Sequence, residues 1–422
     1  VQKKVKRSND EDIAKSNRFA LTVIIVHFYL EYVRPADMYT FLAPLRIGGI
    51  VLLWCIFIWV VRCSKTALKD NLIKLYALLL IEMALYVPFA TNNYSAYQSV
   101  ATLAFILIGG VLPVAALVND YPKARRFFFH WIIINFILTI VVVKNGGIGT
   151  GSFLADENDV GLAIAMAFPY PLYLSFSRSY STRTRVLLRG VVIIMMMAAV
   201  YTRSRGALVG MAAVWFAIWI MSSHRLRNIA IFVISACIFG GVVFSILPAG
   251  YVDRMTTASD PNNDTRVERL YSWHIAWVTY LHNPIFGVGP GNYPWHVVEY
   301  EKEVPRPRGQ PSVAGRASHS FYFTVLPELG TFGAVIIGSM IFIIWRRMRH
   351  VIQLSKSGTH GAEQAEWFSL LAKALLGSLV GFLSAGAFIT VVYYPHLWFL
   401  VGFSLVVYGI AAKSDGNTPR VR

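Results

Sequence analysis

The sequence predicts an all-α, polytopic membrane protein: a bundle of about 12 transmembrane helices with one long loop on its outer side. Three observations predict it. Of 422 residues, 56% are hydrophobic and only 14% charged, where a soluble domain carries about 25% charged residues. Apolar runs of roughly 20 residues recur from Phe19 to Ala412, each long enough to cross a hydrocarbon layer of about 30 Å as a helix. Lys and Arg alternate between loops rather than spreading evenly. The composition excludes an ordinary cytosolic enzyme.

In order, the spans read as 19–33, 46–62, 72–90, 97–118, 127–143, 159–176, 186–201, 206–221, 228–247, 320–345, 367–389 and 392–412. The first is the weakest, because it is short, holds His27 and Glu31, and ends at Arg34-Pro35. With a cytoplasmic N-terminus, the inner segments hold 25 Lys and Arg, against five in the short outer loops: Arg34, Arg46, Lys144, Arg203 and Arg205. Positive charge concentrates on the cytoplasmic side, so both termini are expected there. The net charge of +17 is then a topology signal, and nucleic acid is not an expected partner. The division is a tail over 1–18, nine spans over 19–247, a long outer loop over 248–318, three spans over 319–412 and a tail over 413–422. The tails are polar and expected to lack fixed structure. The chain begins at Val1 rather than Met, so its native start is expected to lie upstream, and no cleavable signal is evident. Cys55, Cys63 and Cys237 offer neither a disulfide framework nor a metal-thiolate spacing.

Function is expected on the outer side, where long loops gather unusual residues. Within the long loop, the stretch from Arg266 to Tyr280 has apolar residues at 267, 270, 271, 275 and 278, an amphipathic helix for the bilayer surface or for the bundle. Arg266 and Arg269 lie near its start, where side chains and helix N–H groups both favour an anion, although solvated charges on a polar face have the same pattern. Asn283-Pro-Ile-Phe-Gly-Val-Gly-Pro-Gly-Asn-Tyr follows. It lacks the spacing of a nucleotide loop and reads as a tight turn returning the chain to the bilayer.

Between 201 and 206 the outer turn is too short to carry Arg203 and Arg205 far from hydrocarbon. Each must snorkel, pair with Asp156, Glu157 or Asp159, or bind an anion such as phosphate. Asp156 and Asp159 alone are weak evidence for a divalent cation. His319 lies at the outer lip of 320–345; on spacing alone it is a hydrogen-bonded interfacial side chain or a base. Glu328, between Pro327 and Gly330, marks a helix break, where it satisfies freed backbone groups or orients a partner. Glu82 reads as bundle glue or a functional carboxylate.

An enzyme on the outer face has no ATP to draw on and needs a donor already activated in the membrane. Polyprenyl-diphosphate glycans fit. Their leaving group needs positive charge as the glycosidic bond breaks, which arginines supply, and a neutral imidazole would accept the acceptor hydroxyl's proton.

Ser204-Arg205-Gly206, Arg269 with Trp273 and Ala276, Pro284 with Gly287 and Gly289, His319-Ser320, and Glu328-Leu-Gly330 together resemble the O-antigen ligase and polymerase superfamily. Leu30-Glu-Tyr-Val-Arg-Pro and Phe153-Leu-Ala-Asp-Glu-Asn-Asp are similar to a subgroup of O-glycosylation ligases. The resemblance implies a bundle related to the class C glycosyltransferase fold in a bacterial inner membrane. It implies a metal-independent, cofactor-free, inverting ligase that moves a glycan from undecaprenyl diphosphate to lipid A-core at the periplasmic face. Arg205 and Arg269 would hold the diphosphate, joined by Arg203 and Arg266, and His319 would be the base, with Glu328 and Asp159 in support. The commonest family motif has His-Asn where this chain has His319-Ser320, a difference that bears on the acceptor. Polymerases of the superfamily share much of this motif set, so polymerisation of O-antigen or exopolysaccharide, or protein O-glycosylation by a ligase of the same superfamily, is the nearest alternative. A lipid-linked sugar transporter is a third, and it would place charge around the midplane, where only Glu82 and Lys373 lie deep enough.

Overall fold

A computed structural model describes residues 2–61, 65–222, 264–356 and 361–413. The helices that position the site are α1 (Gln2–Val33), α2 (Ile47–Val61), α3 (Asn71–Tyr86), α4 (Asn93–Leu117), α5 (Tyr121–Lys144), α6 (Glu157–Ala167), α7 (Thr182–Tyr201), α8 (Arg205–Ile220), α9 (Asp264–His282), α10 (Tyr293–Tyr300), α11 (Tyr322–Leu354), α12 (Ala362–Ala385) and α13 (Pro395–Lys413). No strand occurs among the described residues. Nine of these segments are long and apolar enough to cross a membrane, and α8 is a shorter apolar helix. The expected span over 159–176 is α6 followed, after Phe168, by the short helix Pro169–Leu174. The expected span over 228–247 and the loop residues 248–263 lie outside the described residues. The protein is a multi-pass helical membrane protein, as its composition requires.

One expectation is corrected. The N-terminal segment is not an irregular tail, since α1 begins at Gln2 and runs unbroken into the first span. Residues 2–18 contain neither Pro nor Gly, so nothing in them stops the helix.

Aromatic residues fill the centre of the bundle. Phe28 of α1 meets Phe127 and Trp131 of α5 edge-on, with centroids 5.2 and 5.9 Å away, and Phe399 of α13 at 4.4 Å. Around the site, small residues set the spacing. A Cβ at Gly210 of α8 would stand 2.9 Å from the Ala385 Cβ of α12, and one at Gly381 would stand 3.0 Å from the Ala165 carbonyl of α6. α6, α8 and α12 therefore pack backbone to backbone, as membrane helices do where hydrocarbon supplies no drive to associate.

The two ends of the bundle differ in charge. At one end Arg347 pairs with Asp70 at 2.9 Å, Arg178 pairs with Glu366, and Arg125 donates to the Ser179 carbonyl. Basic segments far apart in sequence thus share one rim. At the other end Gly147 abuts Tyr201 and Thr202, and α9, α10 and the loop to Phe321 gather over the helix ends.

Candidate functional site

Ser204 starts α8 and sets the position of Arg205. Its Oγ accepts from Ala207 N at 3.1 Å, capping the helix, and donates to Asn158 Oδ1 at 2.8 Å. Asn158 is fixed in turn by Asp156, whose Oδ1 accepts from Asn158 N at 2.7 Å as the N-cap of α6. Asp159 is buried in the first turn of the same helix. Neither Asp156 nor Asp159 forms an ion pair with Arg203 or Arg205 among the described residues. Nor, among the described residues, do three His, Cys, Asp or Glu side chains gather there as metal ligands would.

The amphipathic stretch forms α9 and packs on the bundle. Tyr271, Ile275 and Ala276 enter a small separate core with Tyr293, Val297, Tyr300, Val304 and Val313, while Leu270, Trp277 and Leu281 face outward. Trp273, one turn beyond Arg269 on the same face, stacks on Phe323 of α11 at 5.3 Å and donates its indole N–H to the Ser318 carbonyl at 3.0 Å. That hydrogen bond ties α9 to the residue before His319. His319 itself adopts a left-handed φ of 50°, an uncommon conformation, just ahead of α11.

Sequence reasoning missed the residue that joins these parts. The turn Gly386–Phe388 after α12 meets all three arms. Phe321 N donates to the Gly386 carbonyl at 2.7 Å, the Trp273 ring lies 6.3 Å from that of Phe388, and Gly206 backs onto Phe388, where a Cβ would stand 3.4 Å from the Phe388 Cβ. An apolar phenylalanine at a span end carries no chemical signal, so the sequence could not single it out.

The resulting electrostatics are local and specific. Burial weighs against the charge of Arg269, and so does the like charge of Arg205, with Asp156 and Glu268 opposing both. The His319 imidazole is pushed below its ordinary value, first by the protein surrounding it and then by the Arg269 cation. Arg205 and His319 thus each lie within electrostatic reach of Arg269. Arg203 lies in the turn before α8, and Arg266 is exposed near the start of α9. Arg203 has a left-handed φ of 57°, and its Nε is buried without a hydrogen-bond partner among the described residues.

Glu328 takes a structural part. Its buried carboxylate accepts from Gly291 N at 2.7 Å, Tyr293 N at 3.3 Å and the Tyr393 hydroxyl at 2.5 Å. The glycine-rich stretch docks against the break in α11 and leads on into α10. Pro327 and Gly330 (φ 60°) open the helix, and the freed groups are re-paired: Val288 N and Gly289 N donate to the carbonyls of Pro327 and Glu328, and Thr331 N and Phe332 N donate to those of Pro284 and Ile285. The strap that leads to His319 is fastened by Glu301. Burial would raise its carboxyl, but donors from Ser312, Val313 and Tyr271, with the Arg306 cation, hold it below the usual range. Glu82 is buried in α3, within electrostatic reach of Tyr393, whose hydroxyl donates to Glu328.

Residues 190–338 match the family model described as O-antigen ligase. The matched stretch spans Arg205, Arg269, the glycine-rich turn, His319 and Glu328, and it supports the resemblance to the O-antigen ligase superfamily read from those residues. The family is one of glycosyltransferase-like enzymes. None of the curated proteins matches the chain.

Proposed function

We propose that the protein is an O-antigen ligase: it moves a glycan from undecaprenyl diphosphate to a hydroxyl of lipid A-core, at the periplasmic face of a bacterial inner membrane. The observation that supports this reading is that Arg269 feels the like charge of Arg205 and itself biases the His319 imidazole toward its neutral form. Two cations that disfavour each other are relieved by an anion between them, and a diphosphate supplies one.

In the proposed step the acceptor oxygen attacks the anomeric carbon from the face opposite the diphosphate. The new C–O bond forms as the bond to the diphosphate oxygen breaks, so the configuration inverts. His319 takes the hydroxyl proton, and the bond's electron pair leaves on the diphosphate, whose developing charge Arg205 and Arg269 hold. Glu328 and Phe388 position these groups rather than react.

The test is reconstitution with an undecaprenyl-diphosphate oligosaccharide, with and without lipid A-core. A product whose mass equals core plus glycan, formed by wild type and lost in a folded His319→Ala variant, is expected. Chain extension with donor alone would assign polymerisation instead. Movement of intact donor across the bilayer without covalent product would assign transport.

A further inference from the structure

At the rim opposite Arg205 and His319, the first turns of α5 and α7 border an open groove of about 460 Å³, lined by residues including Arg125, Arg126, Phe129, His130, Tyr180 and Thr184. Its depth follows from helix length. α5 has 24 residues and its Lys144 end leads into Gly147, which abuts Tyr201 and Thr202 beside the arginine turn. At 1.5 Å per residue the Tyr121 end lies roughly 35 Å away, at the other hydrocarbon boundary.

The groove is cationic and pre-formed. The Arg125 guanidinium stands 4.8 Å over the Tyr180 ring while donating to the Ser179 carbonyl, two contacts that fix its plane. His130 Nδ1 is held 2.8 Å from the Arg126 carbonyl. Two cations on this rim pair with carboxylates, Lys123 with Asp120 and Arg178 with Glu366, whereas among the described residues Arg185 meets only the Thr182 hydroxyl and Arg189 the Phe176 ring. Among the described residues, Arg125 and Arg126 have no carboxylate partner. One wall is Phe129, and beyond Thr184 the surface of α7 continues through the exposed apolar residues Val186 and Leu187. Positive charge in a cleft whose borders are apolar and lie at the hydrocarbon edge suits a ligand that is anionic at one end and hydrocarbon at the other.

We infer that this groove binds the phosphodiester headgroup of an anionic phospholipid, with Arg125 and Arg126 on the phosphate and the acyl chains along α7. A doubly charged free phosphate would meet the same arginines but gains nothing from the apolar border. The site is separate from the proposed reaction and stands whether or not the protein is a ligase.

The full chain in neutral detergent, titrated in turn with phosphatidylglycerol, phosphatidylcholine and inorganic phosphate, tests this by native mass spectrometry and thermal unfolding. Retained phosphatidylglycerol and a raised Tm are expected, with weaker effects from the zwitterionic lipid and from phosphate. Arg126→Gln, at an exposed position away from the Tyr180 stack, should weaken phosphatidylglycerol binding roughly fivefold, as loss of one arginine at a lipid surface does. Arg125→Gln should do the same where it folds. Equal retention of phosphatidylcholine, binding of inorganic phosphate as tight as that of the lipid, or wild-type affinity in Arg126→Gln would each overturn the assignment.

Discussion

Arg269 acts on His319, and the sign of the effect is fixed. Its charge disfavours imidazolium at His319, so it helps keep the ring in the form that accepts a proton. Activity that needs neutral His319 is lost as pH falls through the imidazole pKa, which lies below the ordinary histidine range. In Arg269→Gln that pKa rises. The acid limb of kcat/KM against pH therefore moves to higher pH, on top of a loss of about 10²- to 10³-fold in kcat from the missing donor. An acid limb unmoved by the substitution would mean that His319 is not the titrating base. Glu328 makes a different prediction. Its three accepted hydrogen bonds are buried, and an amide nitrogen would face a donor, so Glu328→Gln should lower stability by about 1–3 kcal/mol in thermal unfolding. Unchanged unfolding would remove its structural part.

The break in α11 and the loop stitched to it form one element, although 283–293 and 327–332 are separate in the chain. At Gly287, φ is 68° and a Cβ would stand 2.5 Å from the Pro327 carbonyl oxygen. Gly287→Ala should cost more than about 2 kcal/mol, combining left-handed strain with that collision. Gly309, with φ 82° and open space around it, isolates the strain, and Gly309→Ala should cost only about 1 kcal/mol. Comparable unfolding of the two variants would show that the stitched contact is not tight. The helix break was legible in Pro327-Glu-Leu-Gly330, because a proline and a glycine three apart leave backbone groups unpaired. What re-pairs them was not, since hydrogen-bond partners 40 residues away leave no local trace. The same holds at the site: charge in the wrong place marked Arg205, and the resemblance marked Arg269 and His319. Trp273 and Phe388, which bring them together, read as ordinary interface aromatics.

Across the whole molecule, hydropathy made the bundle legible, because a span needs its length of apolar residues whatever its neighbours do. The irregularities were harder to read: the span over 159–176 breaks at Phe168-Pro169, and α4 widens into a π-turn at Leu107–Val111 ahead of Pro113. The contacts gather the basic loops at one rim and the Arg205–His319 site at the other. If positive charge marks the cytoplasm, a thiol at Lys302→Cys, in a background without the native cysteines, should react with an impermeant reagent in intact cells, and one at Arg183→Cys only after lysis. The reverse pattern would turn the molecule over.

That Arg205 and Arg269 hold one diphosphate between them has a direct thermodynamic signature. Donor affinity measured for wild type, Arg205→Gln, Arg269→Gln and the double variant closes a mutant cycle. Arginines that share a ligand are coupled, by about 0.5–3 kcal/mol, so the double variant should lose less or more than the two single losses combined. Single losses that simply add would place the arginines on separate ligands and contradict the account.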